Sequence, residues 1–501
     1  MLNYKELLKE KWIGWKEAIQ AYQCMVRPCM ILFAVYAIGI SAIIRANYNY
    51  RDDVKRIVTG KQGWGSSFGR YLSDFLSTIF HTDNYMTDIS PLSQIIAIVF
   101  MAAAATIIWY VISRNKKFTI WDMAALIPLG LSPYFLACIS YKFDAPYMAF
   151  SVFASIVPLL FLESGSSIYF ILSFLGSLAM CMTYQASSGI FPMFVILLCM
   201  KRWNQKEDIG GILKFASVSI AAYFSGLLLY KTFLMPERER YVSTSLPSLK
   251  DIIPSTIFNL KKYYFLVISD FKKEWLVLLF LLCVAFVFVM VRDSKQKKYV
   301  SFLVSVISLA LLLLLAFGMY PVLAKPLWHP RAMYGFGVFI VLIGISISTA
   351  QKIYSAKLVN FLLAWCFFVF SFTYGNALEI QNNYIDFRTI EVINDLKDLD
   401  IMMSDQKVRI QMDGSIGYAY AVKRMPDDYK MVIRLLPTAY VNGNWSLYKF
   451  YYYAFSTKKV AFNHSRNSAG EDFKTYNLPV LKDTMFHTIR GKDNCILIEM
   501  K

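Results

Sequence analysis

The sequence predicts an α-helical polytopic membrane protein of about 11 transmembrane helices, with a small extracytoplasmic α/β domain at its C-terminus. Two observations predict it. Of 501 residues, 57% are hydrophobic and only 17% are charged, against about 25% charged in soluble domains. Apolar runs also recur until about residue 378, each near the roughly 20 residues that a bilayer core requires of a helix.

The chain opens with MLNYKELLKEKWIGWKEAIQAYQ, an amphipathic stretch without the apolar core of a cleavable signal, so residues 1–24 read as a cytoplasmic N-terminus. Spans are then expected at about 26–45, 91–112, 119–140, 147–163, 167–183, 188–201, 211–234, 275–291, 299–320, 332–350 and 358–378. The sixth is short and interrupted by proline. Short connections fix the orientation. RNKK at 114–117, KRWNQK at 201–206, RDSKQKK at 292–298 and QKIYSAK at 351–357 are basic and alternate with YKFDAPY and TYQASS. Basic connections stay on the cytoplasmic side. The loop at 46–90, the 235–273 segment, the AKPLWHPR loop and the tail are therefore expected outside. The formal net charge of +18 is read the same way, as cytoplasmic anchoring and attraction to lipid head groups rather than nucleic-acid binding.

Within 46–90, VKRIVTG and FGRYLSDFLSTIF carry apolar residues at helical spacing. They are expected as short interfacial helices, with Tyr48, Tyr50, Trp64 and Tyr71 at head-group depth. IIPSTIFNLKKYYFLVISDF, near 252–271, is a second amphipathic stretch. Beyond 379, EIQNNYIDFRTIEVINDLKDL reads as a helix, KVRIQMDG and NCILIEMK as strands, and NWS (444–446) and NHS (463–465) match glycosylation sequons. The expected organisation is thus 1–24, a membrane domain at 25–378 and an outer domain at 379–501. Eight cysteines form no CxxC pair and four histidines are scattered, so no zinc site, disulfide framework or cofactor is expected, and no ligand spacing argues for a divalent metal.

Chemistry gathers in the outer connections. Asp52 and Asp53 stand directly after the first span, with Arg56 one helical turn on. Helical spacing places Arg56 beside them, which would keep a carboxylate ionised near neutral pH, able to accept a proton from an incoming hydroxyl. The bland alternative is a helix cap with a surface ion pair. Lys142, Asp144 and Tyr147 follow the third span. Tyr184 and Gln185 lie at a helix end and suit hydroxyl recognition. PVLAKPLWHPRAMYGFG brings Lys325, Trp328, His329, Arg331 and Tyr334 to the same side. Cations there run against the positive-inside tendency, and an anionic head group or phosphate would account for them.

One span followed by DD, an arginine three residues on, a glycine, a tryptophan and GR resembles the first outer loop of the serotype-converting O-antigen glucosyltransferases of bacteria, multi-pass enzymes of the GT-C type. The later FD, YQA and PR fit the same family, and the resemblance covers roughly 25–375. It implies an inverting enzyme of the bacterial plasma membrane that moves a hexose, in that family glucose, from a polyprenyl-phosphate donor to a hydroxyl of a surface polysaccharide on the outer side. Asp53 or Asp52 would be the general base. Arg56, Arg70, Lys325 and Arg331 would bind the donor phosphate. Asp144, Tyr184, Gln185, Trp64 and Trp328 would shape the sugar and acceptor pocket. A polysaccharide polymerase or ligase, which relies on arginines in large outer loops, is the nearest alternative. A transporter is disfavoured because the span centres are nearly free of charge.

Overall fold

The computed structural model describes residues 4–113, 116–236, 245–401, 408–425, 429–439, 448–450, 452–453, 460–462 and 472–501. Both sequons lie outside the described residues. Among these, seven helices are long and apolar enough to cross a membrane: Gln23–Ala46, within a longer helix Tyr4–Ala46, then Leu92–Ser113, Gln185–Asn204, Ile209–Leu234, Lys273–Arg292, Lys298–Leu315 and Tyr354–Asp398. The expected 119–140 span is broken into Ile120–Leu131 and Pro133–Ile139, bent by 55°. Pro133 forces its predecessor out of the helical region, and Ser132 has ψ 142°.

Three further apolar helices are short: Ala145–Phe161, Ser166–Cys181 and Gly335–Ser348. The last, GFGVFIVLIGISIS, is apolar on every side and all 14 residues are buried. A helix surrounded by protein need not match the thickness of lipid, which is why a run read as a full span is shorter here. Small residues allow a close helix contact between Tyr4–Ala46 and Tyr354–Asp398. A Cβ on Gly375 would stand 2.6 Å from Ala42, and Ser371 Oγ donates to the Gly39 carbonyl at 2.8 Å.

The helices gather their connections at two ends. At one, Lys116 Nζ donates to the Thr349 carbonyl (2.9 Å), the Lys295 amide to the Asn204 carbonyl (2.8 Å) and Gln296 Nε2 to the Trp203 carbonyl (2.9 Å), which brings the basic loops together. The other end carries the 46–90 loop, the Lys142–Asp144 turn, Tyr184–Gln185, Arg331 and the C-terminal region. Helix Ile252–Asp270 packs there against residues 320–328 and leaves Ile253, Phe258, Phe265 and Ile268 exposed. Helix Tyr71–His81 likewise exposes Tyr71, Phe75 and Ile79 at successive turns, as an interfacial helix does. Tyr48, Tyr50 and Trp64 depart from the head-group reading: they are 6%, 2% and 2% exposed and form protein core.

The C-terminal region is a mixed sheet tied to the long helix. Strands β1 (Val408–Asp413), β2 (Val460–Phe462), β3 (Val480–Asp483), β4 (His487–Lys492) and β5 (Cys495–Met500) lie in the order β2-β1-β5-β4-β3. β1 runs parallel to β2 and β5, while β3, β4 and β5 alternate antiparallel. Ile410 pairs with Ile496 and Ile489 with Ile498, all buried. Arg388, within helix Tyr354–Asp398, donates to the carbonyls of Phe486 and Lys501 and so ties the sheet to the helix.

Candidate active site

Asp53 begins the short helix Asp53–Thr59, which stops at Gly60. Gly60 has φ 61°, and the Tyr85 ring lies where a Cβ would be, so glycine alone fits this turn. Asp53 is 0% exposed. Its Oδ2 accepts the backbone N–H of Tyr50 at 2.9 Å and that of Lys142 at 3.0 Å, whereas Oδ1 is buried with no hydrogen-bond partner. Burial, opposed by the Lys142 amide and reinforced by the Asp144 carboxylate, raises its pKa to about 8. Asp52 occupies the cap position, half-buried, with no side-chain cap hydrogen bond.

This corrects one expectation, that Arg56 would stand beside Asp52 and Asp53 as their partner. Arg56 turns to Asp144, with Nη2 3.2 Å from Oδ1, and lies 4.0 Å from the Trp64 ring centroid. Trp64 Nε1 donates to the same Asp144 oxygen at 3.1 Å. With Arg56 committed to Asp144, desolvation dominates at Asp53. Trp64 is placed by Asp74, whose carboxylate accepts the backbone N–H groups of Gly63, Trp64 and Gly65 and so caps helix Trp64–Phe68. Trp64 also meets Tyr147 edge to face at 5.0 Å.

Arg70 leads to the next pair. Gly69 before it has φ 69°, and a Cβ there would meet Tyr230 Oη at 2.6 Å and the Leu234 carbonyl at 2.8 Å. Arg70 Nε donates to Gln185 Oε1 at 3.0 Å, and its guanidinium lies 4.4 Å from the Tyr184 ring centroid. Gln185 Nε2 donates to Tyr230 Oη (2.7 Å) and the Phe68 carbonyl (3.1 Å). Tyr184 is buried and stacks on Tyr334, and its hydroxyl has no hydrogen-bond partner.

Arg331 reaches the Asp53 side. It donates to Tyr141 Oη, and the Tyr141 ring packs edge to face on Tyr50, 4.7 Å away. Tyr50 and Lys142, the two backbone donors to Asp53, are therefore each beside or in contact with Tyr141. A small recess is lined by Tyr50, Arg51, Tyr141, His329 and Arg331. Arg434, from helix Lys430–Leu435 of the C-terminal region, sits nearby. It pairs with Asp270 at 2.9 Å and donates to the Trp328 carbonyl at 2.8 Å, while Tyr50 Oη donates to the Leu435 carbonyl.

Asp52, Asp53, Arg56, Trp64, Arg70, Asp144, Tyr184, Gln185 and Arg331 thus share one end of the bundle, and a chain of contacts connects Asp53 to Arg331. Trp328 is held apart, its ring between Tyr263 (4.7 Å) and Lys262 (4.3 Å). Lys325 is exposed beside Ala324, which is hydrogen-bonded to Ser245. Arg434 was invisible in the sequence, since no local pattern marks an arginine whose partner, Asp270, lies 164 positions away. Among the described residues, no group of three His, Cys, Asp or Glu converges as for a metal ion.

Comparison with known proteins gives the family of the chain. The family described as Glucosyl transferase GtrII matches residues 41–342, a stretch that contains every one of these residues except Arg434. An uncharacterized 55.3 kDa protein in the gtrB 5′ region of Salmonella phage P22 is 28% identical over 186 residues, 36% of this chain and 37% of that protein, so the chain spans little more than a third of that relative. No solved structure matches.

Proposed function

We propose, on the premise that the chain belongs to the GtrII glucosyl transferase family, that it transfers glucose from a polyprenyl-phosphate carrier to a hydroxyl of a surface polysaccharide, outside the membrane and with inversion. Membership makes the protein a glucosyltransferase linked to O-antigen modification. The donor, the side and the residue roles are our reading. The side is supported by the basic connections clustering at the end opposite Asp53. A lipid-linked donor accords with this side, where nucleotide sugars are not supplied.

Asp53 carries the reading. A carboxylate with two backbone N–H groups on one oxygen, the other oxygen unpartnered, and a pKa raised to about 8 is oriented and basic enough to take a proton. In the step we assign, the acceptor oxygen attacks the anomeric carbon from the face opposite the phosphate. The C1–O bond to phosphate breaks with its electron pair, and the hydroxyl proton passes to Asp53 Oδ1. Charge growing on the departing phosphate is met by Arg331 and Arg70, with Arg51 and Arg434 adding to the positive field. Arg56 acts through Asp144 and Trp64 to shape the wall beside Asp53. A single-face displacement needs one base rather than the carboxylate pair of a retaining glycosidase.

Asp53 is wholly buried, so the acceptor reaches it when the Tyr50–Arg51 turn opens. Arg51 holds φ 49°, a left-handed conformation unfavourable for a non-glycine residue, at the point where movement is required. The decisive experiment supplies purified protein with synthetic polyprenyl-phosphate glucose and an O-antigen acceptor. Transfer with inverted anomeric configuration, lost in Asp53→Asn, is expected. Transfer from a nucleotide sugar instead, or full turnover in Asp53→Asn, would overturn the assignment.

A further inference from the structure

A cavity lies at the end opposite Asp53. It measures about 430 Å³ and is lined by polar groups from Ser113, Lys116, Lys201, Asn204 and Lys295, with apolar side chains such as Leu198 and Val289 from within the helices. The glucosyl transfer described above does not use it.

Two of its lining groups are donors left without partners. Ser113 is 2% exposed and its hydroxyl makes no hydrogen bond. Asn204 is 4% exposed and its Nδ2 makes none. Asn204 Oδ1 accepts Ser301 Oγ at 3.0 Å, and in this orientation the NH2 group is the unmatched side. A buried polar group without a partner is costly, and two beside one cavity mark a place for an acceptor. The two acids of the lining have cationic neighbours: Asp293 Oδ1 is 2.7 Å from Arg292 Nε, and Glu207 Oε2 is 3.8 Å from Arg202 Nε. Lys116, whose Nζ donates to the Thr349 carbonyl, lies with Lys201 and Lys295 around the cavity, so positive charge, a hydroxyl and an amide stand above an apolar wall.

We propose that this cavity binds the phosphate of an anionic amphiphile, with the head group held by Ser113, Asn204 and the three lysines and the acyl portion against Leu198 and Val289. Basic pockets between membrane helices are suited to anionic head groups. Phosphatidylglycerol is the chemistry that fits, because its single negative charge is not cancelled by a choline or ethanolamine. A soluble phosphate ester offers the same phosphate without the apolar body.

Full-length protein in a non-ionic detergent is titrated with phosphatidylglycerol, with phosphatidylcholine and with glycerol 3-phosphate, and the unfolding temperature is followed. Phosphatidylglycerol is expected to raise Tm in a saturable way and phosphatidylcholine is not. The triple variant Lys116→Gln/Lys201→Gln/Lys295→Gln should bind phosphatidylglycerol about tenfold more weakly or worse. Ser113→Leu fills the cavity without removing a hydrogen bond, and should abolish the shift while the protein stays folded. A response to glycerol 3-phosphate that Ser113→Leu abolishes keeps the phosphate site and makes its ligand soluble. Equal responses to the two lipids, or a phosphatidylglycerol shift that survives both variants, would overturn the proposal.

Discussion

The backbone N–H of Lys142 donates to Asp53 Oδ2 at 3.0 Å, across 89 positions of sequence. This bond orients the buried carboxylate, while the raised pKa of about 8 comes from burial first and from the neighbouring Asp144 next. Asp53→Asn keeps the shape and both backbone hydrogen bonds in one orientation of the amide but removes the proton acceptor. Its turnover should fall by about 10²–10⁴, with donor affinity largely kept. Asp52→Asn should cost far less. Single-turnover transfer with the lipid-linked donor separates the two.

The pH profile follows from the same carboxyl. With a pKa raised to about 8, the ionised base is the minor form at neutral pH, so kcat/KM should climb about tenfold per unit below that value and level off above it. Asp144→Asn removes a negative neighbour, so the inflection should move to lower pH. A profile flat from pH 6 to pH 9 would remove Asp53 from the role of base.

Stability should run the opposite way. The folded state holds the Asp53 proton up to about 8, against an ordinary value of 3.8. The folded protein therefore binds more protons than the unfolded chain between those two values, and stability declines as pH rises through that window, by at most about 1.4 kcal/mol per unit. Asp53→Asn lacks this dependence. Its Tm should exceed that of the parent by a margin that widens from pH 5 to pH 8, as read by thermal unfolding in detergent.

Arg56 and Asp144 are 14% and 9% exposed and share Trp64 as a neighbour. Arg56→Ala strands the Asp144 charge and should destabilise the protein by about 3–5 kcal/mol. Arg56→Lys keeps the charge but not the planar face against Trp64, and should recover part of that loss. Thermal unfolding of the two variants checks the order.

Arg434 pairs with Asp270, which is 4% exposed and also accepts the Tyr134 hydroxyl at 2.9 Å. Arg434→Ala should cost about 3–5 kcal/mol, and Asp270→Asn in the same chain should return much of it. If Arg434 also serves the donor phosphate, the double variant regains stability but not KM for the lipid-linked sugar.

How much of this was legible depends on range. Helices Asp53–Thr59, Tyr71–His81 and Ile252–Asp270, and strands β1 and β5, stood out because their patterns are local: apolar residues at helical spacing or short β-branched runs. The DD, GR, FD, YQA and PR strings pointed to residues that the fold gathers at one end. What local pattern cannot give is partner choice. Helical spacing put Arg56 beside Asp52 and Asp53, yet a carboxylate 88 positions on captured it, because Asp144 comes with Trp64 to sandwich the guanidinium. Burial was the other blind spot: Tyr48, Tyr50 and Trp64 look like interfacial anchors in sequence and are core in three dimensions. β2, β3 and β4 were missed because they are short or polar and gain their pairing only from the sheet.

The helix Tyr354–Asp398 runs 45 residues without a break, roughly 67 Å at 1.5 Å per residue, more than twice the ~30 Å of a hydrocarbon core. It acts as a mast as well as a span. Adding one residue between Gly375 and Gln381 would swing everything above it by about 100°, turning Arg434 away from Asp270 and Leu435 from Tyr50. Seven added residues would nearly restore the bearing but raise the sheet by about 10 Å. The pitch of one α-helix thus sets both the compass heading and the altitude of the domain that overhangs Asp53.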